Sequence, residues 1–176
     1  MIFFTADQHF GHTSIIRYCQ RPFGSVEEMN EELIRRHNEL VKPDDMVYHL
    51  GDFSMRGDAF TSGILARLNG EKSFLRGSHD RWMKSRVPTI ILEVKAGKHT
   101  IILCHYPLAR WPKAHYNSWH LHGHCHGRFK AEGKILDVGV DCHDFYPVSL
   151  DRVVSIMDTL SDNPGLVRAG FSVSPG

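Results

Sequence analysis

The chain has 176 residues, of which 41% are hydrophobic, and this composition predicts one domain that buries its apolar surface without disulfide bonds. The formal net charge of +1, from 21 basic and 20 acidic residues, argues against a surface that binds an extended nucleic-acid duplex. No apolar run is long enough to span a bilayer, and the 4 cysteines form no Cys-x-x-Cys pair. We therefore expect a cytoplasmic protein with reduced thiols and no membrane partner.

In the first half of the chain, short apolar strands alternate with helices, as is typical of an α/β domain. Ser25, with Glu28 three residues later, is a capping signature for a helix that ends before Pro43. A second helix is predicted over residues 59–68, where Asn69-Gly70 is a helix-ending signal. The predicted strands are residues 1–6, 46–50 and 72–76.

In the second half, β-type patterns dominate until a final helix. A long ordered loop with several aromatic residues is expected over residues 106–118. Ser149 begins a helix that runs through Met157. The predicted strands are residues 87–94, 99–104, 119–122 and 135–140, with a hairpin turn at Gly97. We expect a single domain over residues 1–160 and a poorly packed tail over residues 161–176.

Five short motifs of acidic, histidine and glycine residues follow these strands. They are Asp7-Gln8-His9, Gly51-Asp52, Gly77-Ser78-His79-Asp80, Cys104-His105 and Gly123-His124-Cys125-His126. Carboxylates and imidazoles bind divalent cations, and a pair of cations can contact both the attacking and the leaving oxygen of a phosphate ester. Because side chains at i and i+2 of an extended strand share a face, Asp7 and His9 are predicted to face one ion. The tripeptide Asp141-Cys142-His143 repeats the first pattern, and we interpret it as a chance occurrence.

In this order, the motifs resemble the calcineurin-like metallophosphoesterase family. The pattern of that family runs Asp-x-His, Gly-Asp, Gly-Asn-His-Asp/Glu, His and Gly-His-x-His, and the resemblance covers residues 7–126. It implies a four-layer α/β/β/α sandwich, in which two mixed β-sheets pack face to face and are flanked by helices.

The resemblance also implies a role for each motif residue in hydrolysis of a phosphate ester. His79 would lie near the leaving oxygen as an acid or charge stabiliser, Asp80 would fix its orientation, and a metal-bound hydroxide would attack phosphorus. Two divalent metal ions are implied, with the following ligands: Asp7, His9 and His126 for one ion, His105 and His124 for the other, and Asp52 as a bridge.

Ser78 departs from the family pattern, which has Asn at this position. The Asn carboxamide oxygen ligates the second metal, whereas a Ser hydroxyl is shorter and neutral, so we expect a weak second site and lowered turnover. A ligand set without thiolate suits Mn, Fe, Zn or Ni, and we expect Mn²⁺. Cys125 lies between two ligands and is predicted to point away from them.

The substrate is less well specified by the sequence. His12 is predicted to contact substrate, while Arg17 and Arg21 either meet a phosphate or form a solvated helix face. Aromatic residues either stack on a nucleobase or pack within their loop; these are Tyr106, Trp111, Tyr116 and Trp119. We expect a phosphate-ester small molecule or nucleotide as substrate. For a small member of the family, the resemblance implies phosphodiesters such as cyclic nucleotides or nucleotide and nucleic-acid ends.

Two other kinds of function compete with hydrolysis. A non-catalytic binding module that keeps the fold would explain Ser78. A structural zinc protein built around residues 120–126 would leave Asp7, Asp52 and His79 unexplained. The number of polar groups predicted to converge argues against both, because burying such groups is costly for a mere scaffold.

Overall fold

Two four-stranded mixed β-sheets form the centre of the molecule, described here from a computed structural model that covers residues 1–83, 89–130 and 132–167. The strands are β1 (Ile2–Thr5), β2 (Met46–His49), β3 (Glu71–Phe74), β4 (Ile91–Ala96), β5 (His99–Cys104), β6 (Trp119–His122), β7 (Ile135–Asp137) and β8 (Val148–Ser149). The α-helices are α1 (Thr13–Tyr18), α2 (Val26–Leu40), α3 (Asp58–Leu65) and α4 (Leu150–Thr159).

Each sheet combines a parallel core with one antiparallel strand at an edge. The first sheet has the order β3-β2-β1-β8, in which β8 alone is antiparallel to its neighbour. The second has the order β4-β5-β6-β7, in which β4 and β5 form the antiparallel pair. Parallel neighbours end at the same edge of a sheet, so the loops after β1, β2 and β3 leave the first sheet together. The loops after β5 and β6 leave the second sheet together.

The main apolar core lies between the sheets. Alternate residues of the strands point into it, including Phe4 of β1, Ile101 and Leu103 of β5 and Leu121 of β6, all fully buried. Val153 and Met157 of α4 complete this core. The apolar pattern of the predicted strands therefore reflects sheet-on-sheet packing, and the predicted fold class of two mixed sheets with helices is confirmed.

A second apolar cluster covers the outer side of the first sheet. Helices α1, α2 and α3 contribute Ile15, Met29, Leu33 and Ile64 to it, spaced so that one face of each helix is buried. Ser25 caps α2, as its spacing from Glu28 predicted: its Oγ accepts a hydrogen bond from Glu28 N at 3.1 Å.

Some elements differ from the prediction. Helix α1 was considered only as one of two alternatives for Arg17 and Arg21, and its six residues and lack of a side-chain cap leave little signal in the sequence. The strand predicted over residues 135–140 ends at Asp137, and a 3-10 helix, Val140–Cys142, follows. The beginning of the strand predicted over residues 87–94 lies partly outside the described residues, and β4 begins at Ile91.

The segment after α4 is only partly covered by the described residues. Asn163 is buried, and its side-chain amide donates hydrogen bonds to Ala114 O and Ser118 O at 3.0 and 2.8 Å. Val167 N donates to His115 O at 2.8 Å. Residues up to 167 thus contact the connection between β5 and β6. The prediction of a poorly packed tail extends to residues 168–176, which lie outside the described part.

Among the described residues, no helix combines the length and the apolar character that crossing a membrane requires.

Candidate metal centre

The motif residues meet because main-chain hydrogen bonds continue beyond the ends of the strands. After β1, Asp7 N donates to Gly51 O and His9 N to Asp52 O, both at 3.0 Å. In the second sheet, Gly123 N donates to His105 O at 3.0 Å. The two sheets are also linked, since Ala6 forms an isolated bridge with Gly139. Loops from both sheets are therefore fixed against one another at one edge of the molecule.

Most of the predicted metal ligands have a left-handed main-chain conformation. The φ angles are 60° at Asp7, 55° at His9, 54° at Asp52, 70° at His124 and 48° at His126. Such angles are uncommon for residues other than glycine, and residues that adopt them cluster at functional sites. The prediction that Asp7 and His9 face one ion because their backbone is extended was therefore wrong in its reason: the left-handed conformation at both residues directs them.

Two glycines permit the close approach of these loops. At Gly51, with φ of 98°, a β-carbon would lie 2.6 Å from the main chain of Gly77 and 2.8 Å from His105 Nδ1. At Gly123, a β-carbon would lie 2.5 Å from Ala6 Cβ and 2.6 Å from Asp7 Oδ2. Real β-carbons do not make contacts this short, so both positions require glycine.

The first group of candidate ligands consists of Asp7, His9 and His126, whose ligand atoms lie within 4.8 Å of one another. Asp7 is fully buried, and its Oδ2 accepts a hydrogen bond from His124 N at 2.8 Å. His9 Nδ1 pairs with His12 Nδ1 at 3.3 Å, which leaves His9 Nε2 for another partner. One carboxylate and two imidazoles thus face a common point.

The second group consists of Asp52, His105 and His124, again within 4.8 Å of one another. His105 Nδ1 donates to Leu50 O at 2.8 Å, so its Nε2 carries the lone pair. Asp52 Oδ2 lies 3.4 Å from His105 Nε2 and 3.7 Å from His9 Nε2 of the first group. The Asp52 carboxylate is therefore placed between the two groups.

Three of these ligand atoms are buried without a partner. Among the described residues, the buried side-chain atoms that lack a hydrogen bond include Asp7 Oδ1, His9 Nε2 and His105 Nε2. Leaving such atoms unpaired costs free energy, whereas one divalent cation in each ligand group would satisfy all three. The donor set of carboxylate oxygens and imidazole nitrogens therefore fits divalent metal ions.

Burial and neighbouring charges shift the pKa values of these groups. Burial raises the pKa of Asp7 to about 7, against the lowering effect of His105 and His126. Burial lowers the pKa of His9 to about 2, so its imidazole is neutral. For Asp52, burial acts to raise the pKa, but His105 and the His79 N–H outweigh it and the pKa is lowered. Asp52 is thus ionised and His9 is uncharged, the states that metal ligation requires.

Ser78, His79 and Asp80 lie beside the second group. Ser78 Oγ donates to Asp52 Oδ2 at 3.0 Å, and the His79 main-chain N–H donates to Asp52 Oδ1 at 2.8 Å. The His79 imidazole is 45% exposed, with Nε2 3.9 Å from Asp52 Oδ2. The loop therefore holds Asp52 through its main chain and leaves the His79 ring open to solvent.

Asp80 has a different role from the one expected. Among the described residues, its carboxylate makes no hydrogen bond to the His79 imidazole. It is buried and instead accepts hydrogen bonds from Asp52 N, Phe53 N, Gly77 N and Trp82 Nε1. Asp80 thus holds the loop after β3, which contains Gly77, against the loop after β2, which contains Asp52. The prediction that Asp80 orients His79 directly does not agree with this geometry.

The predicted substrate residues differ in placement. His12 lies at the site: its ring centroid is 5.2 Å from that of His9 and 6.1 Å from that of His79. Arg17 is exposed on α1, with its guanidinium 5.4 Å from the Tyr18 ring. Arg21 is buried and pairs with Asp141, so neither the phosphate role nor the solvated face considered for it applies.

The four aromatic residues considered for stacking on a nucleobase lie in different environments. Tyr106 lies beside the second group, with its ring centroid 4.8 Å from that of His124. Trp119 is part of the core between the sheets, and Trp111 Nε1 donates to Ser118 O at 3.1 Å. Tyr116 is 68% exposed. Only Tyr106 of these four is in contact with a candidate ligand.

Asp141 was missed by sequence reasoning, which treated its tripeptide as a chance repeat. Its carboxylate accepts hydrogen bonds from Arg21 and, at 2.7 Å, from His126 Nδ1. Nothing local in the sequence marks it, because its partners are 15 and 120 residues away. Cys125, by contrast, belongs to none of the candidate ligand groups found among the described residues.

Comparison with solved structures supports the fold. A protein of unknown function from Aquifex aeolicus, AQ665, aligns with a TM-score of 0.70 at 23% identity, covering 89% of this chain and 98% of that chain. A predicted phosphoesterase from Streptococcus pneumoniae aligns with a TM-score of 0.38 at 20% identity, covering 78% of this chain and 70% of that chain. A score below 0.5 does not establish a shared fold.

Sequence comparison identifies relatives that align over most of their own length. No family model matches the chain. The gene 66 protein of Mycobacterium phage L5 is 25% identical, with 93% of this chain and 97% of that protein covered. The uncharacterized protein MJ1445 of Methanocaldococcus jannaschii is 35% identical over 167 residues, covering 89% of this chain and 91% of that protein. The chain belongs to the same family as this archaeal protein.

Proposed function

We propose that this protein is a metal-dependent phosphoesterase that hydrolyses phosphodiesters. The observation that carries the proposal is the pair of ligand groups joined by Asp52, with three buried ligand atoms that have no hydrogen-bond partner in the described part of the chain. Two adjacent cations suit hydrolysis of a phosphate ester, because each ion can contact a different oxygen of the ester.

The chain offers ligands for two ions in this arrangement. Asp7, His9 and His126 would hold one, and His105 and His124 the other, with Asp52 between them. Divalent ions such as Mn²⁺ would supply Lewis-acid chemistry there, polarising the phosphate and activating water near neutral pH. The remaining steps fall to the side chains around the ligands.

His79 is the proposed proton donor to the leaving oxygen. Its main-chain N–H is fixed by Asp52 Oδ1 at 2.8 Å, while its imidazole is 45% exposed, with Nε2 3.9 Å from Asp52 Oδ2. Histidine is the side chain that most often donates or accepts a proton in general acid–base catalysis. His12 lies next to it and is proposed to bind a non-bridging phosphate oxygen.

The substrate class proposed is a phosphodiester with one nucleoside or aryl group, such as a cyclic nucleotide or a nucleotide end. Tyr106, 37% exposed and beside His124, offers an aromatic face at the rim. Stacking of a base on such a face contributes about 1–3 kcal/mol and tolerates different bases.

The experiment is hydrolysis of an activated aryl phosphodiester with Mn²⁺ by the full chain and by His79→Ala. Turnover is expected to fall by about 10²- to 10⁴-fold, the usual contribution of a general acid, while bound metal stays constant. His115→Ala is a matched control, because His115 is exposed on the connection between β5 and β6 and lies outside the ligand groups. Equal turnover for His79→Ala and the unaltered protein would contradict the role of His79.

A non-catalytic binding module is the second candidate, and Ser78 is the observation that favours it. Its hydroxyl donates to the Asp52 carboxylate at 3.0 Å, in the place where the resemblance expects a ligating carboxamide. A protein that binds one ion and hydrolyses no ester in a panel of monoesters and diesters would support this second candidate.

A further inference from the structure

We propose that Arg21 and Asp141 are positioning residues for the first ligand group, acting through His126 and through the main chain at Asp7. The inference rests on the two-metal centre of the proposed function. It deepens that function by assigning a buried ion pair to one of the two ions.

The pair itself is bidentate and almost completely buried. Arg21 Nε donates to Asp141 Oδ1 at 2.8 Å, and Arg21 Nη2 to Asp141 Oδ2 at 2.7 Å. The exposed fractions of the side chains are 0% for Arg21 and 10% for Asp141. A planar guanidinium matches a carboxylate in this geometry, so each side chain fixes the orientation of the other.

The other donors of Arg21 hold the first motif. Nη2 donates to Asp7 O at 2.7 Å, and Nη1 donates to Gln8 O at 2.9 Å. Asp7 has a φ of 60°, a conformation that an aspartate adopts at a cost. The guanidinium therefore holds the main chain at Asp7 and Gln8, from which Asp7 and His9 are directed toward a common ion.

Asp141 holds the third ligand of the same group. Its Oδ2 accepts a hydrogen bond from His126 Nδ1 at 2.7 Å. A proton on Nδ1 leaves the lone pair on Nε2, the atom that remains for the metal. A carboxylate behind a metal-binding histidine fixes the ring and the tautomer, and its loss typically weakens metal binding.

Cys19 provides the alternative interpretation. Its Sγ lies within 4.8 Å of ligand atoms of His126 and Asp141, so these three residues could form a separate thiolate site. Against this, both oxygens of Asp141 already accept hydrogen bonds from Arg21. A metal at Asp141 would compete with a buried guanidinium that has no other carboxylate partner among the described residues.

The test is calorimetric titration of the metal-free full chain with Mn²⁺. Asp141→Asn is expected to lower the affinity for one of the two ions by about 10- to 100-fold and to leave the affinity for the other unchanged. The reason is that an amide N–H facing His126 Nδ1 would favour the tautomer whose Nε2 is protonated and cannot ligate. Arg21→Lys keeps the positive charge but loses the planar guanidinium that donates two hydrogen bonds to Asp141. It is expected to lower the affinity for the same ion.

A double variant separates positioning from general damage. In a His126→Ala background, Asp141→Asn should reduce metal affinity by less than it does alone, because the ligand that Asp141 contacts directly is gone. Cys19→Ser is the control, and it should bind both ions as the unaltered protein does. Thermal unfolding of each metal-free variant shows whether the fold is retained.

Three results would overturn the inference: undiminished binding of both ions by Asp141→Asn and Arg21→Lys, an additive loss in the double variant, or a loss in Cys19→Ser that equals the loss in Asp141→Asn. Failure of the proposed function is distinguishable, since an unaltered protein that binds two ions but hydrolyses no ester would contradict the function alone.

Discussion

Single residues at the candidate centre are held in states that they do not adopt by preference. Asp7 combines complete burial with a left-handed main chain, and its Oδ1 has no partner among the described residues. Each of these features costs free energy in the metal-free protein. A cation that binds there would give Asp7 Oδ1 a partner and recover the cost of leaving it unpaired, so this buried oxygen makes metal binding more favourable.

The protonation of Asp7 gives a pH prediction. Because burial raises its pKa to about 7, the metal-free protein holds a proton at Asp7 that a metal ion must displace. Metal affinity should therefore increase as the pH rises through about 7, with proton release on binding. Titrations in two buffers of different ionisation enthalpy measure this release, and binding without released protons would contradict the prediction.

The same shift affects the stability of the metal-free protein. The folded Asp7 keeps its proton to about pH 7, whereas in the unfolded chain an Asp loses it near pH 4. The folded state binds more protons in this window, so the contribution of Asp7 to stability is fully present below about pH 4 and declines as the pH rises to about 7.

Ser78 gives the second prediction at this scale. Ser78→Asn should increase the affinity for the second ion and raise turnover, because a carboxamide oxygen reaches further than a hydroxyl that now donates to Asp52. Ser155→Asn, on the exposed side of α4, is a control for adding an amide. Equal metal content and equal rate for Ser78→Asn and the unaltered protein would show that Ser78 does not limit the site.

At the scale of elements, the ends of strands and the caps of helices determine the placement of the site. The apolar runs before each motif were sufficient to predict that the ligands follow strands, and Ser25 and Ser149 were recognised as caps. The sequence did not indicate the left-handed conformation at Asp7 and His124, because an Asp or His does not specify it locally. Nor did it indicate Asp141, whose contacts depend on tertiary packing.

The α2 cap provides a test at this scale. Ser25→Ala removes the acceptor for Glu28 N and should lower the free energy of unfolding by about 0.5–2 kcal/mol. Ser155→Ala is the matched control, because Ser155 is exposed within α4, and its effect should lie within about 0.5 kcal/mol. Urea denaturation measures both, and equal effects would show that Ser25 does not act as a cap.

At the scale of the whole molecule, the two sheets act together to build one centre. Asp7 and Asp52 follow strands of the first sheet, whereas His105 and His124 follow strands of the second. The family resemblance was sufficient to predict two mixed sheets. Strand order, register and the bridge between Ala6 and Gly139 required the structure, since they depend on contacts between segments that are far apart in the chain.

Because the ligands come from both sheets, metal ions should stabilise the entire fold. Binding at one hundred times the dissociation constant contributes about 2.7 kcal/mol for each ion, and Tm should rise accordingly. His105→Ala combined with His126→Ala removes one ligand from each group and should abolish most of the rise. Calorimetry with Mn²⁺ measures this, and an equal rise in the double variant would place the stabilising ions elsewhere.

The most direct measurement is anomalous diffraction from crystals of the full chain grown with Mn²⁺. Two peaks are expected about 3.5–4 Å apart, one beside Asp7, His9 and His126 and the other beside His105 and His124, with Asp52 between them. Peaks away from these residues, or none at saturating Mn²⁺, would contradict the two-metal centre.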